Sequence, residues 1–174
     1  MSLKILKNKI GEFETELGGF SVGRCVLDEK KAILLETYDN QGKWSGYYWL
    51  RKDIISAVTY DTKYVKKIES YMDFWKSKNP LTPTISVGNF KDLNAATILD
   101  VAAQKRCVIS LLREDAEDLE TGFIRTSKNG FEMECINIET AEILGRFDID
   151  VKKIIFFEID SPDNWLLQFA QKKA

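Results

Sequence analysis

The sequence contains no histidine, only three cysteines and only three prolines in 174 residues. Each shortage removes a class of chemistry. Without histidine there is no Ser-His-Asp or Cys-His pair, and no imidazole to hold zinc, iron or copper. Cys25, Cys107 and Cys135 are too few and too dispersed for an all-cysteine tetrahedral site. Their odd number, without a C-x-x-C pair, argues against a disulfide framework and for a reducing compartment. Each is expected to act as a small buried hydrophobe. No apolar run approaches the roughly 20 residues that span a bilayer, so no membrane association is expected. The first seven residues lack the apolar stretch and small-residue cleavage site of a secretory signal, and the expected location is the cytoplasm. Neither G-x-x-x-x-G-K-[ST] nor G-x-G-x-x-G is present to cradle a phosphate. The reading is therefore a non-enzymatic protein with no catalytic residues, no cofactor and no metal site. Any acid–base chemistry would fall to carboxylates such as Glu132, Glu134 and Glu142, or to Cys25, and no nucleophile–base pair is visible among them.

What is present describes an ordinary folded chain, 44% hydrophobic and 30% charged. Its length suits one medium domain or two small ones of roughly 70 to 90 residues. The net charge of −2 is uneven, with 14 basic and 11 acidic residues in 1–90 against 11 and 16 in 91–174. Glu114, Asp115, Glu117, Asp118 and Glu120 lack the spacing and central glycine of an EF-hand and read as a solvated acidic loop. A sequence pI near 5.4 disfavours general nucleic-acid binding, which depends on neutralising phosphates.

Residues 20–61 read as short strands at about ten-residue spacing, over 20–27, 32–38, 44–50 and 54–60. The period then changes. Tyr64, Ile68, Tyr71, Met72 and Trp75 fall on one face of a helix, with Asp61 or Thr62 as its cap. Residues 78–84 carry two prolines and read as a linker. A second helix is expected over 92–104, with Asp92 as cap, and strands over 107–113, 122–126, 131–138, 143–149 and 154–159. Lys128-Asn129-Gly130 predicts a hairpin turn in which Asn-Gly supplies positive φ. Ser161-Pro162 predicts the start of a last helix.

An ungapped shift of 99 residues aligns these segments. It carries Gly23 onto Gly122, Gly46 onto Gly145, Ile55 onto Ile154, Asp61 onto Asp160 and Thr62 onto Ser161. The stretch Trp44-Ser45-Gly46-Tyr47-Tyr48-Trp49-Leu50-Arg51-Lys52-Asp53-Ile54-Ile55, running into Tyr60-Asp61-Thr62-Lys63-Tyr64, resembles a group of uncharacterised bacterial proteins with Sm-like or SH3-like barrels. The resemblance covers residues 19–68 sharply and 105–160 faintly. It implies a mainly β fold of two similar small barrel units, each followed by a helix. The expected organisation is a first unit at 1–79, a linker at 80–90 and a second unit at 91–174. It carries no RNA site across. The Asn and Gly of the Sm uridine pocket are missing from Asp28-Glu29-Lys30-Lys31-Ala32 and Leu50-Arg51-Lys52-Asp53.

Strand alternation puts Trp44, Gly46, Tyr48 and Leu50 on one face and Ser45, Tyr47, Trp49 and Arg51 on the other. The first set, with Ile143, Gly145, Phe147 and Ile149 in the second unit, is read as the core face. Tyr47, Trp49, Arg51 and Lys52 then form the candidate partner or ligand surface. Three readings stay open for it: packing within the chain, a surface for a protein partner or a second copy, and a base-stacking platform aided by Lys43. Self-association through sheet edges and this aromatic face is the leading expectation. Single-stranded RNA binding is the alternative, and an enzyme built on carboxylates or Cys25 the least favoured.

Overall fold

A computed structural model describes residues 4–76 and 82–172. The fold is mainly β with helices, as the sequence implies: ten strands and three α-helices among the described residues. The chain divides into two compact units, Met1–Pro83 and Thr84–Ala174. Of the expected linker at 80–90, residues 80 and 81 lie outside the described residues. The rest contains a 3-10 turn at Val87–Asn89 and the buried side chains of Ile85 and Phe90.

The first unit runs β1 (Ile10–Thr15), β2 (Phe20–Asp28), β3 (Ala32–Tyr38), β4 (Trp44–Arg51), a 3-10 turn at Lys52–Ile54, β5 (Ile55–Tyr60) and α1 (Lys63–Lys76). Its strands lie in the order β5-β1-β2-β3-β4, with antiparallel neighbours. The second unit runs α2 (Ala95–Lys105), β6 (Val108–Arg113), β7 (Glu120–Ser127), β8 (Gly130–Ile136), β9 (Ile143–Ile149), a 3-10 turn at Val151–Lys153, β10 (Ile154–Ile159) and α3 (Pro162–Gln171). Its order is β10-β6-β7-β8-β9, again antiparallel. The two units thus share one strand order, and each places a 3-10 turn before its last strand. The 3-10 turn and last strand of the second unit each begin and end 99 residues after their counterparts. Neither sheet closes on itself: no pairing joins β5 to β4 or β10 to β9 among the described residues.

Local chemistry explains the boundaries. Asp39 Oδ1 accepts from the backbone N–H of Gln41 and Lys43, an Asx-type turn that reverses β3 into β4. Thr62 caps α1 by accepting from Val65 N at 3.0 Å, and its own hydroxyl donates to Glu12. Asn94, rather than Asp92, caps α2 by accepting from Thr97 N; Asp92 sits one step back and accepts from Asn94 N and the Thr97 hydroxyl. Ser161 caps α3, with Pro162 in its first turn. Asp61 and Asp160, just before the caps of α1 and α3, both take positive φ, at 60° and 61°. The β7–β8 hairpin forms where expected, but Ser127 pairs with Gly130, so Lys128 and Asn129 make the turn and only Gly130 has positive φ. The strand β1 has no counterpart in the sequence reading. Its Glu12, Glu14 and Thr15 mask the apolar signal, yet Ile10 and Phe13 are buried.

In the first unit, Ile10 and Val22 pack with Val65 and Ile68 of α1. In the second, a buried polar chain ties α3 to the sheet. The Ser110 hydroxyl meets that of Thr121 and donates to Asn164 Oδ1, Asn164 Nδ2 donates to the Glu158 carbonyl, and buried Asp160 accepts from Ile85 N and Trp165 Nε1. The polar side chains of this network thereby keep partners, as burial demands.

Two glycines set how closely neighbouring strands approach. A Cβ at Gly23 would lie 2.7 Å from the Glu36 carbonyl oxygen, and one at Gly122 would lie 2.2 Å from that of Glu134. Backbone on the adjacent strand cannot yield as a flexible side chain does. Gly122→Ala is therefore expected to destabilise the protein by ~1–3 kcal/mol, an overpacking cost, read as a lower urea midpoint. Gly88→Ala meets only Ser86 Oγ, at 3.9 Å, and should change stability by less than about 0.5 kcal/mol.

Candidate functional site

The strand β4 does not alternate as expected. Tyr47 and Trp49 are buried, with 6% and 4% of their surface exposed, while Trp44 and Tyr48 are only half-buried. Gly46 and Leu50 are also buried, so both faces of the strand are covered and alternation loses its meaning. The β3–β4 register also slips between Glu36 and Tyr38, which shifts the pattern along the strand. Tyr47 packs edge-on to Trp44 at 5.7 Å. Arg51 Nε donates to Asp53 at 2.7 Å. The Lys52 ammonium lies 2.5 Å from the buried Oδ1 of Asp28, as its counter-charge rather than as an aligned hydrogen bond. Of the four residues that the sequence singles out, two are therefore interior aromatics and two are held in ion pairs. In the second unit the expected core face also departs: Ile149 is buried, but Ile143 is exposed.

The nucleophile candidates are insulated. Burial, then the Asp28 carboxylate, pushes the Cys25 thiol up to about 11. Burial, then Asp160, pushes Cys107 up to about 12. Cys135, partly buried, is also raised by burial. A thiol attacks as its thiolate, so these shifts suppress reactivity. Glu134 is held below the usual carboxylate range, chiefly by its hydrogen bond from Arg125 and then by Arg146. It serves as the shared anion of two guanidinium groups rather than as a free base. In the acidic loop, Asp115 is lowered by Lys153, and Glu120 receives a bidentate Arg113 fork at 2.9 and 2.6 Å. Among the described residues, no three His, Cys, Asp or Glu side chains come together as a cation site.

Two other features stand out. The first is a cleft of about 540 Å³ in the first unit, lined by Arg24, Tyr38, Lys43, Trp44, Trp75 and Lys76, with Glu36 among the remaining walls. Cross-strand register sets Arg24 of β2 directly opposite Glu36 of β3, and Arg24 Nε donates to Glu36 at 2.5 Å. Burial disfavours the Arg24 charge, but the Glu36 hydrogen bond and the neighbouring Tyr38, Glu36 and Tyr47 outweigh it, so the guanidinium is held above its ordinary value. Burial, then the Glu36 charge, drives the Tyr38 phenol well above its ordinary range. The turn before β4 forms a second wall. Trp75 Nε1 donates to the Gln41 carbonyl at 2.9 Å, and the Lys43 ammonium lies 4.6 Å from the centre of the Trp75 ring. Gly42 makes this fit possible: its φ is +75°, and a Cβ there would lie 2.6 Å from that of Tyr71.

The second feature is the β8–β9 hairpin. β9 is the last strand of its sheet and pairs with β8 alone among the described residues. Ile143 and Leu144 are 44% and 66% exposed. The β8–β9 register slips here, Ile136 facing Ile143 and Cys135 facing Gly145, so Leu144 is the extra residue of a bulge and two adjacent apolar side chains are left uncovered at the start of β9. Ile138, in the turn before it, is 70% exposed.

Neither feature follows from the sequence reading. The signal for the cleft is a charged pair, Arg24 and Glu36, in otherwise apolar strands, but register is needed to see that they meet. Trp75 reads in the sequence only as part of the apolar stripe of its helix. At β9 the signal is Ile143 next to Leu144, since one of two adjacent apolar residues must leave a one-sided core.

No family model, curated protein or solved structure matches the chain. No described helix is long and apolar enough to cross a membrane.

The thiols give a direct test. From pH 9 to 11 the unfolded chain loses its thiol protons, whereas Cys25 and Cys107 keep theirs to about 11 and 12. The unfolded state then binds fewer protons, so stability falls as pH rises through this window. At pH 8, iodoacetamide followed by peptide mass mapping should label Cys135 well before Cys25 or Cys107. Equal labelling would refute the burial argument.

Proposed function

We propose that the chain is a non-enzymatic interaction module made of two tandem Sm-like or SH3-like units, whose partner is a second copy of itself. The shared strand order, the 3-10 turn before the last strand and the 99-residue spacing support the tandem reading. The observation that carries the interaction is the start of β9, an edge strand with two adjacent exposed apolar side chains, Ile143 and Leu144. Natural proteins guard such edges with lysine, proline or a covering element, because unpaired N–H and C=O groups invite another strand. The strand at the far end of the first unit's sheet, β5, offers a second edge: Ile55–Tyr60 contains no charge and no proline.

Charge selects between the ways of pairing. The first unit, Met1–Pro83, carries three more basic than acidic residues, and the second, Thr84–Ala174, five more acidic than basic. Joining β9 of one copy to β5 of the next brings opposite charges together, whereas β9 to β9 brings like charges together. Such a head-to-tail contact repeats, giving a ring if the rotation closes and a chain if it does not. The three free cysteines support a reducing, cytoplasmic setting. Binding of single-stranded RNA at Tyr47, Trp49, Arg51 and Lys52 has less support, because the two aromatics are buried and the two cations are ion-paired.

Light scattering tests this. The expected mass is a multiple of 20.0 kDa that falls on dilution. Leu144→Lys should shift the protein to monomer, and Leu166→Lys, at an exposed site on α3, should leave the mass unchanged. A monomer at all concentrations would overturn self-association. Nucleic acid co-purifying with the wild type, read from the 260/280 absorbance ratio, would favour RNA binding instead.

A further inference from the structure

We propose that the cleft of the first unit binds a small planar aromatic group carrying a phosphate monoester, in class a free nucleoside monophosphate. This site lies on the first unit and does not depend on self-association.

Size comes first. At about 540 Å³ the cleft lies within the range of roughly 300–1,000 Å³ typical of small-molecule sites. A phenyl ring with one phosphate would leave much of it unfilled, whereas a base, a sugar and a phosphate suit it.

Wall chemistry decides the rest. Tyr38, Trp44 and Trp75 supply aromatic surface, which favours a flat ring. Three aromatics and a carboxylate would also suit an organic cation, but the charges exclude that ligand. Among the described residues, Arg24, Lys43 and Lys76 line the cleft against one carboxylate, that of Glu36. That carboxylate is already engaged by Arg24. Lys43 already places its ammonium over the Trp75 ring, where a cationic ligand would have to sit beside a like charge. Lys76 shares its charge with Asp73 at 2.6 Å, but that pair is about 70% exposed and screened by water. The described lining residues carry a net charge of +2. A phosphate monoester carries about −1.5 to −2 near pH 7, which matches it; an aromatic carboxylate brings only one negative charge.

Arg24 is the expected phosphate contact. Its Nε is spent on Glu36, and the described residues offer no partner to its terminal nitrogens. Its side chain remains 41% exposed. A guanidinium fixed through Nε presents those two nitrogens as a preset fork for phosphate oxygens. The hydrogen bond from Trp75 to Gln41 and the close packing of Gly42 on Tyr71 hold the opposite wall in place before any ligand arrives, which lowers the ordering cost of binding.

The experiment is a titration of the full chain with adenosine monophosphate and guanosine monophosphate, followed by tryptophan fluorescence and by calorimetry. Adenosine, inorganic phosphate and a single-stranded RNA hexamer are the comparison probes. Saturable one-to-one binding of at least one monophosphate is expected, about tenfold or more tighter than adenosine or phosphate alone, and weakening as salt rises. Trp75→Ala should weaken it about tenfold or more, as loss of one stacking surface does. Arg24→Gln should remove the advantage of the monophosphate over adenosine. Lys43→Ser, on an exposed turn where folding is not at risk, should weaken the monophosphate and leave adenosine unchanged. Leu144→Lys should bind as the wild type does, which separates this site from the self-association surface. No saturable binding of either monophosphate would overturn the proposal. So would binding that is unchanged in both Lys43→Ser and Trp75→Ala, or binding of the RNA hexamer alone.

Discussion

The structure depends on how closely two backbones can approach in the middle of each sheet. At Gly23 and Gly122 the neighbouring strand passes so near that a Cβ would overlap the carbonyl oxygen of Glu36 or Glu134. Those two carboxylates are also the charged centres of the two candidate surfaces. Glu36 holds Arg24 in the cleft of the first unit. Glu134 holds Arg146 of β9, and with it the strand that ends the second unit's sheet. A side chain at either glycine would push away the strand that carries the carboxylate, so the same steric constraint that permits the fold positions its functional groups.

Around that shared strand order the two units differ in what they present. In the first, the β3–β4 turn and α1 build a concave, aromatic and basic cleft; in the second, the corresponding β8–β9 hairpin presents Ile138, Ile143 and Leu144 to solvent. The junction before the last helix shows the same contrast. Asp61 is largely exposed and pairs with Lys9, whereas Asp160 is buried and bonds Ile85 N and Trp165 Nε1. One residue type with one backbone conformation serves a surface ion pair in one unit and an internal tie in the other.

Much of this is legible in the sequence, for physical reasons. Strands bounded by turn residues stand where their apolar patterns place them, alternating in 143–149 and nearly continuous in 154–159, and Ser161-Pro162 marks a helix start by its own chemistry. Register and coverage are not legible. Alternation along β4 assumes one open face, and here both are covered, so it points Tyr47 and Trp49 outward although they are buried. The strand β1 stays hidden because half of it is polar, its burial coming from neighbours distant in sequence. Arg24 and Glu36 meet only through cross-strand pairing, and Trp75 joins them only because Gln41 and Gly42 reach the end of α1. Contacts of this kind belong to tertiary structure and leave no local periodicity.

The most direct test of the account is amide hydrogen exchange measured by mass spectrometry at low and high protein concentration. If these two edges pair between copies, amides of 143–149 and 55–60 gain protection together as concentration rises, while peptides from α3 do not. Exchange at both edges that is independent of concentration would contradict it.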